Sequence, residues 1–173
     1  MPDTSVQRDF LVAFDSETEQ EAEADLMACC ASRRWAAEVA ARRPYHDLDT
    51  LHRVSDAALV ALGWSDVQEA LAAHPRIGQR AEGDGMDAAW SRSEQAAATT
   101  EDGQTAGELA AANQEYERRF GHVFLICATG LSAGEVLAAL HARLGNDENT
   151  ERRIVREELR KIVNLRLARL VAR

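Results

Sequence analysis

No proline occurs after Pro75 in this chain of 173 residues, and only Pro2, Pro44 and Pro75 occur at all. Proline is the strongest helix breaker, so the whole C-terminal half is open to uninterrupted helices. Apolar residues there recur three and four apart. Val155, Leu159, Ile162, Val163 and Leu170 form one such stripe. Thirty-two alanines against nine aromatic residues favour helix over sheet. With 46% apolar and 28% charged residues the chain has enough apolar side chains for a core and does not read as disordered. The expectation is an all-α, single-domain helical bundle of about seven to nine helices over residues 1–173.

Twenty basic and 29 acidic residues leave a net charge of −9, which argues against general affinity for nucleic acid or anionic membrane. Cys29 and Cys30 are adjacent and Cys127 is distant, so there is neither a disulfide framework nor a CxxC pair. Three reduced thiols imply a cytoplasmic protein. No segment approaches the roughly 18 consecutive apolar residues of a membrane span. The first residues lack a basic region followed by an apolar one, and Leu170-Val171-Ala172-Arg173 is no peroxisomal tripeptide. His46, His52, His74, His122 and His141 include no HxxxH pair, and no carboxylate group has calcium-loop spacing, so no metal site is expected. A glycine-rich phosphate loop and a GxSxG elbow are also missing.

The punctuation divides the chain into helices. One long pattern runs from Glu19 through Leu26, Cys30, Trp35 and Val39 to Arg43, with room for a break, and stops at Pro44. Asp47 to Ala61 and Ser65 to Ala73 form two more around Gly63. Arg76 to Ala89 contains three glycines and reads as an exposed loop. Helices resume over Ser91 to Thr99 and Thr105 to Phe120. Val123 to Ala128 is a continuous apolar run, too short for periodicity to decide, and is taken as an irregular or short helical piece in the core. Ser132 and Glu135 form a capping box, with Leu131 and Val136 as staple and Gly145 as the stop. The last helix covers about Glu148 to Ala172, capped by Asn146 or Asp147.

Three places break the packing pattern. Pro75 disfavours helical geometry at His74, so a helix should stop there and present the imidazole at a turn. That position suits a cation at a negative helix end, and it equally suits proton chemistry. Ser91, Glu94 and Gln95 lie three and four residues apart and share a helix face. They read either as a second capping box or as a polar cluster able to hold a small molecule; the staple position here is the polar Gln95. Arg166, four residues from both Ile162 and Leu170, puts a permanent charge in the apolar stripe. It either snorkels at the stripe edge or faces inward toward an anionic partner.

Six motifs then stand in order. They are Arg43-Pro44-Tyr45-His46-Asp47-Leu48, His74-Pro75-Arg76-Ile77-Gly78, Ser91-Arg92-Ser93-Glu94-Gln95, the stretch Asn113 to Gly121, Phe124-Leu125-Ile126-Cys127-Ala128, and Lys161 to Leu167. Together they resemble the OHCU (2-oxo-4-hydroxy-4-carboxy-5-ureidoimidazoline) decarboxylase family over residues 10 to 170. Arg76-Ile77-Gly78 stands where the eukaryotic form of the histidine motif has Asp-Leu-Ala. Gly121-His122-Val123-Phe124 replaces the Gly-Phe-Pro-Phe common in the family, adding an ionisable group near the expected site.

The resemblance implies an all-helical fold, often a homodimer, and a cofactor-free decarboxylation in urate breakdown that yields (S)-allantoin and carbon dioxide. By motif position His74 matches the catalytic histidine and Glu94 its carboxylate partner. Pro75, the residues Ser91, Arg92, Ser93, Glu94 and Gln95, and the residues Phe124, Leu125, Ile126, Cys127 and Ala128 match substrate-contacting positions. Arg166 matches the arginine that engages the ureidoimidazoline. The competing readings are a lyase or hydrolase acting on a related ureide, and a catalytically silent helical module that binds a partner. The trio His74, Glu94 and Arg166 argues against the silent module, which has no need of it.

Overall fold

The computed structural model describes residues 4–100 and 102–173. It is 71% helical, with nine α-helices and no strand among the described residues, as the all-α expectation requires. No helix among them is long and apolar enough to cross a membrane. The chain divides into two compact units, residues 1–70 with 160–173, and residues 71–159.

The first unit contains α1 (Thr4–Ser16), α2 (Glu19–Cys29), α3 (Arg33–Ala41), α4 (Leu48–Val60), most of α5 (Trp64–Ala72) and the end of α9 (Glu148–Leu170). Helix α1 was not expected from the sequence, yet it buries Leu11 and Phe14, three residues apart on one face. The long pattern from Glu19 breaks at Cys30, because Ser32 caps α3 by accepting from the backbone N–H of Trp35. Trp35 is fully buried, and its indole donates to the backbone and hydroxyl oxygens of Ser55. Asp47, where the sequence began this helix, is the cap of α4 and accepts from Thr50 N at 2.6 Å.

The second unit begins at the end of α5 and contains α6 (Met86–Glu94), a 3-10 turn (Ala96–Ala98), α7 (Gly103–Phe120), α8 (Ala133–Leu144) and the start of α9. Its core is Ile77, Ala98, Leu109, Ala112, Tyr116, Phe124, Ala128, Val136 and Leu140. Helix α6 starts at Met86, five residues before the expected Ser91, so the glycine loop is shorter than the sequence suggested. Gly85 is the cap, and Asp87 in the first turn suits the positive helix end. Glu94 ends this helix, and only the 3-10 turn follows where helix to Thr99 was expected. Ser91 therefore lies within α6, which removes the second capping box as an explanation of Ser91 and Glu94. The box at Ser132 and Glu135 is present, with Glu135 N to Ser132 Oγ at 3.2 Å. Asp147, not Asn146, caps α9, accepting from Thr150 N at 2.8 Å.

Candidate active site

The His74 turn follows the end of α5, where the His74 N–H donates to Leu71 O at 3.0 Å. His74 and Pro75 are half-buried. A tight turn follows, closed by Gln79 N to Arg76 O at 3.0 Å, and Gly78 takes the left-handed φ of +92° that this turn needs. Gln95, at the end of α6, spans it from one side. Its Oε1 accepts from Gly78 N at 3.2 Å, and its Nε2 donates to Arg76 O at 3.5 Å. From the other side Asn113 on α7 donates to Ile77 O at 3.0 Å.

The five residues Ser91 to Gln95 separate by helix face. Ser91 and Glu94 are buried, at 6% and 8% exposure. Arg92 turns toward the glycine loop and donates to Ala81 O and Gly83 O, each at 3.0 Å. Ser93 faces solvent, and Gln95 is committed to the His74 turn. A cavity of about 420 Å³ is lined by Gly78, Gln79, Arg80, Ala81, Ser91, Arg92, Gln95, Ala96 and Thr99. A second, of about 360 Å³, lies against Arg76, Ile77, Gly78, Asn113 and Gln114. These volumes suit a small heterocycle. Neither His74 nor Glu94 lines them.

Phe124 to Ala128 has no regular secondary structure, so its main-chain polar groups need other partners. Side chains supply two of them. Arg143 donates to Leu125 O at 2.7 Å, and Glu158 accepts from Cys127 N at 2.7 Å. Phe124, Leu125 and Ala128 are buried, while Ile126 and Cys127 are half-buried. The Arg143 guanidinium also sits 4.4 Å from the centre of the Phe124 ring.

Arg143 is itself held by Glu151, through Nε at 2.8 Å and Nη2 at 2.5 Å. Both are buried, and the Glu151 side chain is 1% exposed. The Tyr116 hydroxyl donates to Glu151 Oε1 at 2.5 Å and the Asn146 amide to Oε2 at 3.0 Å. Burial pushes the Glu151 carboxyl up, but the hydrogen bonds from Arg143, Tyr116 and Asn146 outweigh it and hold the group below its usual value. Burial, and then the Glu151 carboxylate, push the Tyr116 phenol far above its usual range. The sequence reading did not single out Arg143 or Glu151. They lie eight residues apart across the break at Gly145, so no single helical period links them.

Arg166 belongs to the first unit. It is 4% exposed, and Nη1 donates to Ala28 O at 3.1 Å, so this arginine does not snorkel to solvent. Burial raises the neighbouring Cys29 and Cys30 thiols, Cys30 to about 12, against the weaker opposing pull of Arg166 on Cys29 and of the Ser32 backbone N–H and then Arg166 on Cys30. Thiolate chemistry at these two sites is thereby disfavoured. The structure places His74, Pro75, Ser91 to Gln95 and Phe124 to Ala128 in the second unit, and joins Gln95 directly to the His74 turn. Among the described residues no group of three or more His, Cys, Asp and Glu side chains could hold a metal ion.

A sequence model of OHCU decarboxylase matches residues 15–168 of the chain. The chain belongs to the OHCU decarboxylase family. The 2-oxo-4-hydroxy-4-carboxy-5-ureidoimidazoline decarboxylase of Amia calva is 33% identical over 138 residues, covering 79% of this chain and 79% of that protein. The uric acid degradation bifunctional protein TTL of Arabidopsis thaliana is 32% identical over 146 residues. That alignment covers 82% of this chain and 45% of the Arabidopsis protein, so the chain spans under half of this relative. A crystal structure of OHCU decarboxylase in the presence of (S)-allantoin superposes with a TM-score of 0.76 at 28% identity, covering 91% of this chain and all of that one.

Proposed function

We propose that this chain decarboxylates 2-oxo-4-hydroxy-4-carboxy-5-ureidoimidazoline to (S)-allantoin and carbon dioxide in urate breakdown, without a cofactor. The observation that carries the reading is the family match over nearly the whole chain. Loss of carbon dioxide from the hydroxyl-bearing ring carbon leaves an electron pair that the adjacent C=N group absorbs. Protonation on one face then yields one enantiomer. His74 is the proton donor and general acid–base, because an imidazole, with a reference pKa of about 6.5, exchanges protons near neutral pH. Glu94 orients the imidazole and helps hold the substrate. Ser91, Gln95 and the backbone of 124–128 bind a heterocycle rich in donors and acceptors, and Arg166 is assigned to the substrate by its motif position. The same reading makes the enzyme a cytoplasmic homodimer.

The test is to add the protein to freshly generated substrate and follow allantoin by circular dichroism. A signal no faster than the spontaneous reaction would overturn the proposal. Chelation is expected to leave turnover unchanged, given the donor sets among the described residues. Activity lost in EDTA and restored by one metal would contradict this.

Arg166→Lys is expected to keep the fold and lose about 10- to 150-fold in kcat/KM, since a hydrogen bond to a charged group is worth roughly 1.5–3 kcal/mol. Arg169→Lys, half-buried one turn away, is the control and should stay close to wild type. Equal kinetics for the two variants, with matching thermal melts, would remove Arg166 from the site.

A further inference from the structure

Helix α7 carries Leu109, Asn113 and Glu117 four residues apart, on one face. The three meet the His74 turn in reverse order. A Cβ at Gly78 would lie 3.2 Å from Leu109 Cδ2, the Asn113 amide holds Ile77 O, and the Glu117 carboxylate takes Arg76. The last contact is a two-pronged pair, Arg76 Nε to Oε1 at 2.6 Å and Nη2 to Oε2 at 2.9 Å. Residues ascending α7 thus match residues descending the turn, and a slip of one residue would break all three contacts together.

Glu117 is three-quarters buried and Arg76 half-exposed, so the pair adds little to global stability. Its geometry is nonetheless demanding, because a planar fork on a carboxylate fixes orientation as well as distance. Arg76 is separated from His74 only by Pro75, whose ring locks its own φ and restricts the residue before it. The main chain between Arg76 and His74 therefore keeps few free torsions. The Arg76 main chain is held by Gln95 and its side chain by Glu117. We propose that Arg76 and Glu117 are positioning residues that set the register of the turn on α7, and through it the place of the His74 imidazole. This rests on the catalytic reading of His74 given above.

The test compares Arg76→Glu, Glu117→Arg and the double exchange. Each single variant should lose about tenfold or more in kcat, because a displacement near 1 Å is enough to cost up to about 10²-fold. KM should stay within about twofold, since neither residue is assigned to the substrate, and Tm within about 4 °C of wild type. The exchange should restore kcat to within about threefold. In parallel, the His74 imidazole resonance, assigned by its loss in His74→Asn, should move in both single variants and return in the exchange.

Single variants with wild-type kcat and an unmoved resonance would overturn the proposal, as would an exchange that restores neither. A rise in KM confined to Arg76→Glu would make Arg76 a direct substrate contact instead. A fall in Tm that accounts for the lost activity would reduce the pair to a structural one. If the wild-type protein does not turn over the substrate, the functional reading fails, and the resonance alone decides the positional one.

Discussion

His74→Ala is expected to lower turnover by about 10²- to 10⁴-fold, the usual cost of deleting a general acid or base. The fold should survive. His74 lies at the end of α5, half-buried and outside the core cluster of its unit, and the turn it begins is held by Gln95 and Asn113 through Arg76, Ile77 and Gly78. Pro75 still fixes the backbone when the imidazole is gone. His74→Asn, which keeps hydrogen-bonding capacity but cannot relay a proton near neutral pH, should fall into the same range. Steady-state turnover beside far-ultraviolet circular dichroism distinguishes lost chemistry from lost structure. Near-normal turnover in either variant would remove His74 from its assigned role.

The largest effect on stability should come from Glu151→Ala. The substitution leaves the Arg143 guanidinium buried without its carboxylate and takes an acceptor from Tyr116 and Asn146. Breaking one side of a buried pair costs about 3–5 kcal/mol. For a chain of this size that lowers Tm by roughly 6–20 °C. Removing both charges, as in Arg143→Met with Glu151→Leu, should recover much of the loss, because well-packed apolar residues often replace a buried pair without penalty. Acid should expose the same linkage. The folded carboxyl lies below its ordinary value, so its contribution is complete above about pH 4.3 and fades as pH falls through the lower folded value. Thermal melts of the three proteins across this range would check both claims. A Tm within 2 °C of wild type for Glu151→Ala would refute them.

Helix identity was legible wherever the sequence carried its own punctuation. Asp47, Ser132 and Asp147 each accept from a backbone N–H three residues on, and the helices they cap start where those residues indicate. Helix α6 was harder, because Gly85 caps it without a side chain and leaves no sequence mark. Helix α1 was overlooked because its buried side is narrow, with Leu11 and Phe14 flanked by exposed Val12 and Ala13. Among the candidate residues, His74 and Arg166 could be noticed because each violates a local rule, a proline after a helix end and a charge in an apolar stripe. Arg143 and Glu151 violate nothing locally. Arg143 and Glu151 are ordinary charged residues near helix ends, and only the fold brings them onto Leu125 and Tyr116. Spacing groups Gln95 with Ser91 and Glu94, yet its partners lie 17 and 19 residues back along the chain, beyond the reach of any periodicity.

The Glu151 carboxylate has a consequence for how the second unit opens. It receives α7 through Tyr116, α8 through Arg143 and the connection before α9 through Asn146, while Arg143 also carries the irregular stretch at Leu125. Separating α8 from α9 strands two buried charges, and withdrawing Tyr116 or Asn146 takes a hydrogen bond from the carboxylate, so partial separation is costly at each of these contacts. These segments are therefore expected to open together, which amide hydrogen exchange would show as similar protection across them. Low-energy fluctuation is left to the exposed loop of residues 79–85, which Arg92 clips at two carbonyls. The unit thus joins a cooperative block to a loop that can breathe on its own.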